Sequence, residues 1–198
     1  MPQFELNNYW GGLSLLNHLS KGIYFFVGAV PIALIMMLVV IGVKIIFGKK
    51  ATITFFNTLN EALWLITVVT ILLITGMFEA VFSGTFGVTS IFDGSSVIDF
   101  TILSEGITPA TILNMVLFLP FGFFSVMVFK KIRTKWIYGV LIGFLFTSMI
   151  ESIQLFTGRF FQIDDILMNT LGTYIGYVLG IYLLKNKSLI LGSVLNKC

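Results

Sequence analysis

Five long apolar stretches constrain the fold of this chain more than any other feature. Each approaches or exceeds the roughly 20 helical residues needed to cross a hydrocarbon layer about 30 Å thick. They run from Tyr24 to Phe47, Ala62 to Phe82, Thr111 to Phe129, Trp136 to Phe156 and Asp164 to Leu184. Hydrophobic residues make up 57% of the 198 residues and charged residues 11%, against about 45–50% and about 25% in soluble domains. We therefore predict an all-α, multi-pass integral membrane bundle of five transmembrane helices.

The residues before the first stretch include many polar side chains. Polar residues precede any long apolar run, which does not fit the order of a secretory signal. From Trp10 to Leu19, apolar and polar residues alternate loosely, a pattern typical of a helix at the membrane interface. We divide the chain into an extracellular or interfacial segment (1–23), a transmembrane domain (24–184) and a cytoplasmic tail (185–198).

The basic residues indicate the orientation in the membrane. Ten of the twelve lie near the end of the first stretch or after it, between the third and fourth, or after the fifth, and only Lys21 and Arg159 do not. By the positive-inside bias this face is cytoplasmic, so we predict an external N-terminus and a cytoplasmic C-terminus. The pI near 9.0 then indicates contact with anionic lipid. No stretch resembles a nucleic-acid-binding module, and we expect no nucleic-acid partner.

The segment from Glu151 to Gly180 sets polar side chains in apolar surroundings. If the flanking stretches are helices, Glu151 and Gln154 lie one turn apart, Asp165 and Asn169 share a stripe of the next helix, and Arg159 lies in the turn between. Such groups at membrane depth cost a few kcal/mol each unless paired, so they indicate a functional site.

These polar groups gather in the outer half of the membrane, whereas the inner half of the bundle has almost none, which argues against a channel. The sequence therefore predicts a pocket that opens outward. We expect six residues to bind its ligand: Asn114, Glu151, Gln154, Arg159, Asp165 and Asn169. The long connection 83–110 would form an external cap.

Four carboxylates stand near this site with one arginine: Glu79, Glu151, Asp164 and Asp165. Their excess negative charge would need a proton, a bound cation or a cationic ligand group to offset it. Close carboxylates commonly share a proton, so that one acts as acid and its neighbour as base. Glu151 and Asp165 are the candidates for catalytic residues.

Each polar residue also has a purely structural interpretation. Glu151 and Arg159 would form a plain ion pair, and the amides would hydrogen-bond between helices. Asp164 would cap the fifth helix. The glycines at 172, 176 and 180 form a ridge that allows another helix to approach closely. We expect that helix to belong to the same chain, since Asp165 and Asn169 lie on the same face.

The order E-x-x-Q, an arginine, then D-x-x-x-N-x-x-G-x-x-x-G resembles the VanZ-like family of bacterial membrane proteins. The segment Asn114–Gly122 is similar to that family's N-x-x-x-F-x-P-x-G motif. Gln162 stands where many members have an acid, so the family's acid count does not transfer. The resemblance implies a bacterial plasma-membrane location and an association with resistance to teicoplanin and lipoglycopeptide antibiotics, but not a molecular activity.

Three functions fit these features. The first is to bind or modify a cell-envelope lipid, a lipid-linked wall precursor or an amphiphilic antibiotic at the outer leaflet. The second is intramembrane catalysis on a lipid-linked substrate by acid–base or metal-assisted chemistry, and the third is a structural role. Cys198 is the single cysteine and His18 lies outside the polar segment, which argues against a thiolate, zinc or haem site. We predict no cofactor and assign no metal-ligating residue, and a magnesium or calcium ion held by oxygens stays open. Enzymatic activity and oligomeric state stay undecided.

Overall fold

The structure is a computed structural model that describes residues 3–77, 98–99, 101–102, 106–156 and 161–195. Its side chains are described at 20, 22–50, 52–77, 101–102, 106–156 and 161–186. Within these ranges the chain forms five α-helices: α1 (Gln3–Ile46), α2 (Phe55–Ile74), α3 (Pro109–Val128), α4 (Ile137–Leu155) and α5 (Ile163–Leu195). Each contains a segment long and apolar enough to cross a membrane. The predicted all-α bundle of five membrane-length helices is confirmed.

The remaining described elements are short. Two 3₁₀ turns, Lys50–Thr52 and Lys130–Thr134, lie in the connections α1–α2 and α3–α4. The two-residue strands β1 (Ile98–Asp99) and β2 (Phe161–Gln162) pair in parallel. This pairing ties the connection before α3 to the turn between α4 and α5.

Several sequence predictions lie outside the described residues. They include Arg159, Glu79 and most of the connection 83–110 that we expected to form an external cap.

The predicted bounds of the second span were wrong. We placed it at Ala62–Phe82, but α2 begins at Phe55, where the hydroxyl of Thr54 caps the main-chain nitrogen of Asn57, and it ends at Ile74. Gly76 follows with φ +72°, a left-handed conformation that favours glycine and ends helices. Polar residues at the start of α2 lowered its apparent hydropathy, which shifted the prediction toward the C-terminus.

The predicted domain boundaries fall inside helices. Residue 23 lies within α1, which runs unbroken for 44 residues, or about 66 Å at 1.5 Å per residue. Residue 185 likewise lies within α5. Both helices therefore continue beyond the segments that match the thickness of a membrane.

The most extensive packing among the described helices joins α3 to α5. A methyl group added at Gly172 would lie 2.0 Å from the carbonyl oxygen of Met115, and one at Gly176 would lie 1.9 Å from that of Leu119. The backbones touch where no side chain intervenes, as the small residues of membrane helices allow. The glycine ridge therefore packs within the chain, as predicted.

The other helices are arranged around this pair. The rings of Phe121 in α3 and Phe146 in α4 stack at 4.5 Å between centroids, beside the buried Phe118 and Ile150. α2 packs against α3, and α1 packs chiefly against α2 through Ala29, Ala33 and Met37. α1 is thus the peripheral helix of the described bundle.

Hydrogen bonds show which connections share an end of the bundle. The indole nitrogen of Trp64 donates to Ser125 at 2.9 Å, so the first half of α2 lies beside the end of α3. Tyr177 donates to the carbonyl oxygens of Ile132 at 2.8 Å and Lys135 at 3.0 Å. The α1–α2 and α3–α4 connections therefore meet at one end, together with their lysines and arginine. We call it the basic end, and we call the opposite end, where α3 and α5 begin and α4 finishes, the polar end.

Candidate functional site

The candidate site at the polar end is built on two antiparallel helices, α4 and α5. The amide nitrogen of Asn169 donates to the hydroxyl of Thr147 at 2.9 Å. Glu151 lies one turn after Thr147 in α4, and Asp165 lies one turn before Asn169 in α5. Because the helices run in opposite directions, one turn forward in α4 and one turn back in α5 both lead toward the polar end. The two carboxyl groups therefore lie at a similar depth along the bundle axis. The acids separated in sequence by a hairpin are therefore neighbours in depth.

Asp165 also joins α5 to α3. The amide nitrogen of Asn114 donates to a carboxylate oxygen of Asp165 at 2.6 Å. Asn114 is held in place because α3 starts at a capping box, in which the side chains of Thr108 and Thr111 bond reciprocally to each other's main-chain nitrogens. A contact across 51 residues thus links the two motifs of the sequence analysis.

Glu151 is 3% exposed although it carries an ionisable group. The main-chain nitrogen of Gln162, the residue before α5, donates to its carboxylate at 3.3 Å. A donor at the N-terminal end of a helix suits a negative charge. Gln162 therefore contributes its main chain here, while its side chain is exposed.

Gln154 uses its amide nitrogen in a different way from the other predicted residues. It donates to the carbonyl oxygen of Thr75 at 3.0 Å. Thr75 is the C-terminal cap of α2, where carbonyl groups lack partners within the helix. This bond fixes the end of α2 against α4.

Asn169 leaves one strong acceptor free in the interior. The residue is 4% exposed, and its amide oxygen has no hydrogen-bond partner within the described part of the chain. Leaving such a group unpaired costs about 1–3 kcal/mol. Buried polar atoms are normally bonded, so this oxygen has hydrogen-bonding capacity that the described helices do not use, as does the hydroxyl of Thr170.

The structure thus places four of the six predicted site residues at the polar end, Asn114, Glu151, Asp165 and Asn169, and bonds Asn114 directly to Asp165. Gln154 lies at the same end, with its amide nitrogen bonded to α2, and Arg159 is outside the described residues. Asp164 lies inside the first turn of α5 rather than before the helix, where we expected a cap. Across the described ranges, no three His, Cys, Asp or Glu side chains form a metal-binding group.

Sequence reasoning missed several residues that order these helices. The hydroxyl of Thr147 accepts the hydrogen bond from the amide of Asn169. The sequence feature that could have indicated this role is the position of Thr147 one turn before Glu151. At the basic end, Lys44 and Glu61 form an ion pair at 2.5 Å with 16% and 19% of their side chains exposed. Lys44 lies near the end of α1 and Glu61 near the start of α2. These positions match in a helical hairpin, so the ion pair could have been predicted from the sequence.

Comparison with known protein families identifies the chain. The family model described as VanZ/LLP1 matches residues 29–185, about four fifths of the sequence, from the middle of α1 to the membrane-length part of α5. No curated protein and no solved structure matches the chain. The match includes every residue of the polar end named above, and the resemblance noted in the sequence is therefore confirmed. The chain belongs to the VanZ/LLP1 family and is a multi-pass membrane protein of a group associated with antibiotic resistance.

Proposed function

We propose that the polar end binds the headgroup of an amphiphilic cell-envelope molecule: a membrane lipid, a lipid-linked wall precursor or a lipoglycopeptide antibiotic. The observation that carries this proposal is the amide oxygen of Asn169, which is buried and unpaired in the described part of the chain. It lies one turn deeper than Asp165 and beside the helix that carries Glu151. Acceptors gathered between helices in this way suit a ligand rich in hydroxyl, amide or ammonium groups.

The orientation predicted from the basic residues supports an encounter at the outer leaflet. The α1–α2 and α3–α4 connections, with Lys44 in the last turn of α1, bring seven basic residues to the basic end. The positive-inside bias puts that end in the cytoplasm, which puts the polar end outside. A molecule presented at the cell surface would then reach the site without crossing the membrane.

The residues divide the recognition of such a ligand between them. Asn169 accepts a hydrogen bond from a hydroxyl or amide group. Glu151 and Asp165 hold a cationic group or a shared proton. Arg159, between α4 and α5 in the sequence, binds a phosphate or carboxylate through its planar guanidinium group.

Antibiotic susceptibility tests the proposal directly. A strain that depends on this protein for teicoplanin resistance would carry Glu151→Gln, Arg159→Ala or the control Glu61→Gln. The control makes the same chemical change at the basic end, in a partly buried ion pair. We expect the first two variants to lose most of the resistance and the control to keep it, at equal protein abundance in the membrane. Full resistance in the Glu151→Gln and Arg159→Ala strains would refute the proposal.

A further inference from the structure

A second candidate site lies at the basic end, far from the polar cluster. The last turns of α1 and the residues that follow enclose an open groove of about 330 Å³, lined by Val39, Val40, Val43, Lys44, Phe47 and Lys49. Val43 is 46% exposed and Phe47 72% exposed. The groove therefore has an apolar wall on the side of the membrane and lysines at its mouth.

The backbone at this mouth is fixed by a local motif. Gly48 has φ +68°, its nitrogen donates to the carbonyl oxygen of Ile45 at 3.2 Å, and the nitrogen of Lys49 donates to that of Lys44 at 2.8 Å. This pair of bonds is the Schellman arrangement that ends helices at a left-handed glycine. It turns the chain back over the last turn of α1 and places Lys49 next to Lys44.

The charges at the mouth are not balanced. Lys44 is neutralised by Glu61. Lys49 and Lys50 are exposed, and neither ammonium group is paired with a carboxylate within the described residues. Lys49, which lines the groove, and Lys50, the next residue along the chain, thus carry positive charges without a carboxylate partner among the described residues. That arrangement matches an amphiphile with an anionic head and a hydrocarbon tail.

We propose that this groove binds one anionic phospholipid from the leaflet at the basic end. The phosphate lies against Lys49 and Lys50 and accepts charge-assisted hydrogen bonds from their ammonium groups. The first part of an acyl chain lies along Val39, Val43 and Phe47. This site is independent of the function proposed for the polar end, because it shares no residue with it.

Native mass spectrometry of the purified full-length protein tests the proposal. The protein in detergent is titrated with phosphatidylglycerol or with phosphatidylcholine of the same acyl chains. We expect phosphatidylglycerol to bind more tightly, and Lys49→Gln/Lys50→Gln to weaken its binding about thirtyfold, from the usual contribution of two lysines near an anionic surface. The control Lys130→Gln/Lys131→Gln removes two exposed lysines from the same end and should change binding little.

A second pair of variants tests the apolar wall without altering charge. Val43→Trp fills the groove, whereas Leu38→Trp places the same side chain at an exposed position of α1 outside it. We expect only Val43→Trp to weaken phosphatidylglycerol binding. Equal binding of the two lipids, or equal weakening by both lysine pairs, would overturn the proposal. A dimer whose formation excludes lipid from the groove would also overturn it and assign this face to a second copy of the chain.

Discussion

The two ends of the bundle use their polar side chains differently. At the basic end, Arg133 and Tyr177 donate to main-chain carbonyl oxygens of the α3–α4 connection and the turn before it. At the polar end, Asn114, Asp165 and Asn169 bond to side chains on neighbouring helices. The basic end thus completes hydrogen bonds that a helix leaves open, in addition to its side-chain pairs Lys44–Glu61 and Trp64–Ser125. The other gathers side chains and leaves the Asn169 oxygen unpaired in the described residues.

This difference separates structural polar groups from candidates for ligand binding. A side chain that donates to the unpaired carbonyl groups of a helix end has used those donors within the fold. A buried side chain with capacity to spare lowers stability, and such local conflicts are expected at functional sites. Gln154 is instructive because it lies at the polar end but donates to a main-chain carbonyl oxygen at the end of α2, as Arg133 and Tyr177 donate to main-chain carbonyl oxygens at the basic end.

The largest effect on the free energy of unfolding should come from forcing α3 away from α5, because the contact between these two helices fixes the relative positions of the residues at both ends of the bundle. Gly176→Ala places a methyl group 1.9 Å from the carbonyl oxygen of Leu119, and overpacking of this kind should lower the free energy of unfolding by about 3 kcal/mol. Gly42→Ala is the matched control, because nothing lies within 4 Å of its added methyl group. It should be neutral or stabilising by up to about 1 kcal/mol. Unfolding by titration with sodium dodecyl sulfate measures both, and equal stabilities would contradict the packing described for α3 and α5.

A smaller effect tests the comparison of the two ends itself. Tyr177→Phe removes the donor for two carbonyl oxygens and should lower the free energy of unfolding by about 1–2 kcal/mol while teicoplanin resistance is kept. Asn169→Leu should change stability by less than about 1 kcal/mol, since it replaces a half-satisfied group with an apolar one of similar size, and yet abolish resistance. The same unfolding titration and susceptibility assay apply to both. The opposite pattern, with Asn169→Leu unstable and Tyr177→Phe inactive, would reverse the roles of the two ends.

The smallest effect concerns Gln154. Gln154→Met keeps the length of the side chain but loses the bond to Thr75, which should lower the free energy of unfolding by about 0.6 kcal/mol, the average for such bonds between membrane helices. Resistance should be unchanged. A strain that becomes susceptible at normal protein abundance would instead place Gln154 among the ligand-binding residues, as the sequence motif first suggested.

The fold was predictable because hydropathy is a local property. Stretches of about 20 apolar residues define membrane-length helices whatever their partners are, and only the polar start of α2 misled the assignment. The glycines at 172, 176 and 180 likewise predicted a close helix contact. The sequence did not reveal that α3 is the partner, because helices of similar composition offer several equivalent faces.

The membership of the polar cluster was predictable, but its bonds were not. The stripe of Asp165 and Asn169 follows from helical periodicity. The pairing of Asp165 with Asn114 depends on the axial register of α3 against α5, and that register is set by backbone contact at the glycines rather than by the polar residues. Lys44 and Glu61 were overlooked although the length of the α1–α2 connection aligns them.

The position of α5 in the chain has a consequence for biosynthesis. Of the five described helices α5 is synthesised last, and it supplies the acceptor for Asn114 and the donor for Thr147, while Gln162 just before it supplies the main-chain nitrogen that meets Glu151. Until it inserts, the earlier helices reside in the bilayer with those groups lacking their final partners. The polar contacts among these helices are therefore completed only when α5 inserts, and nascent chains that stop before α5 should be substrates for membrane quality control.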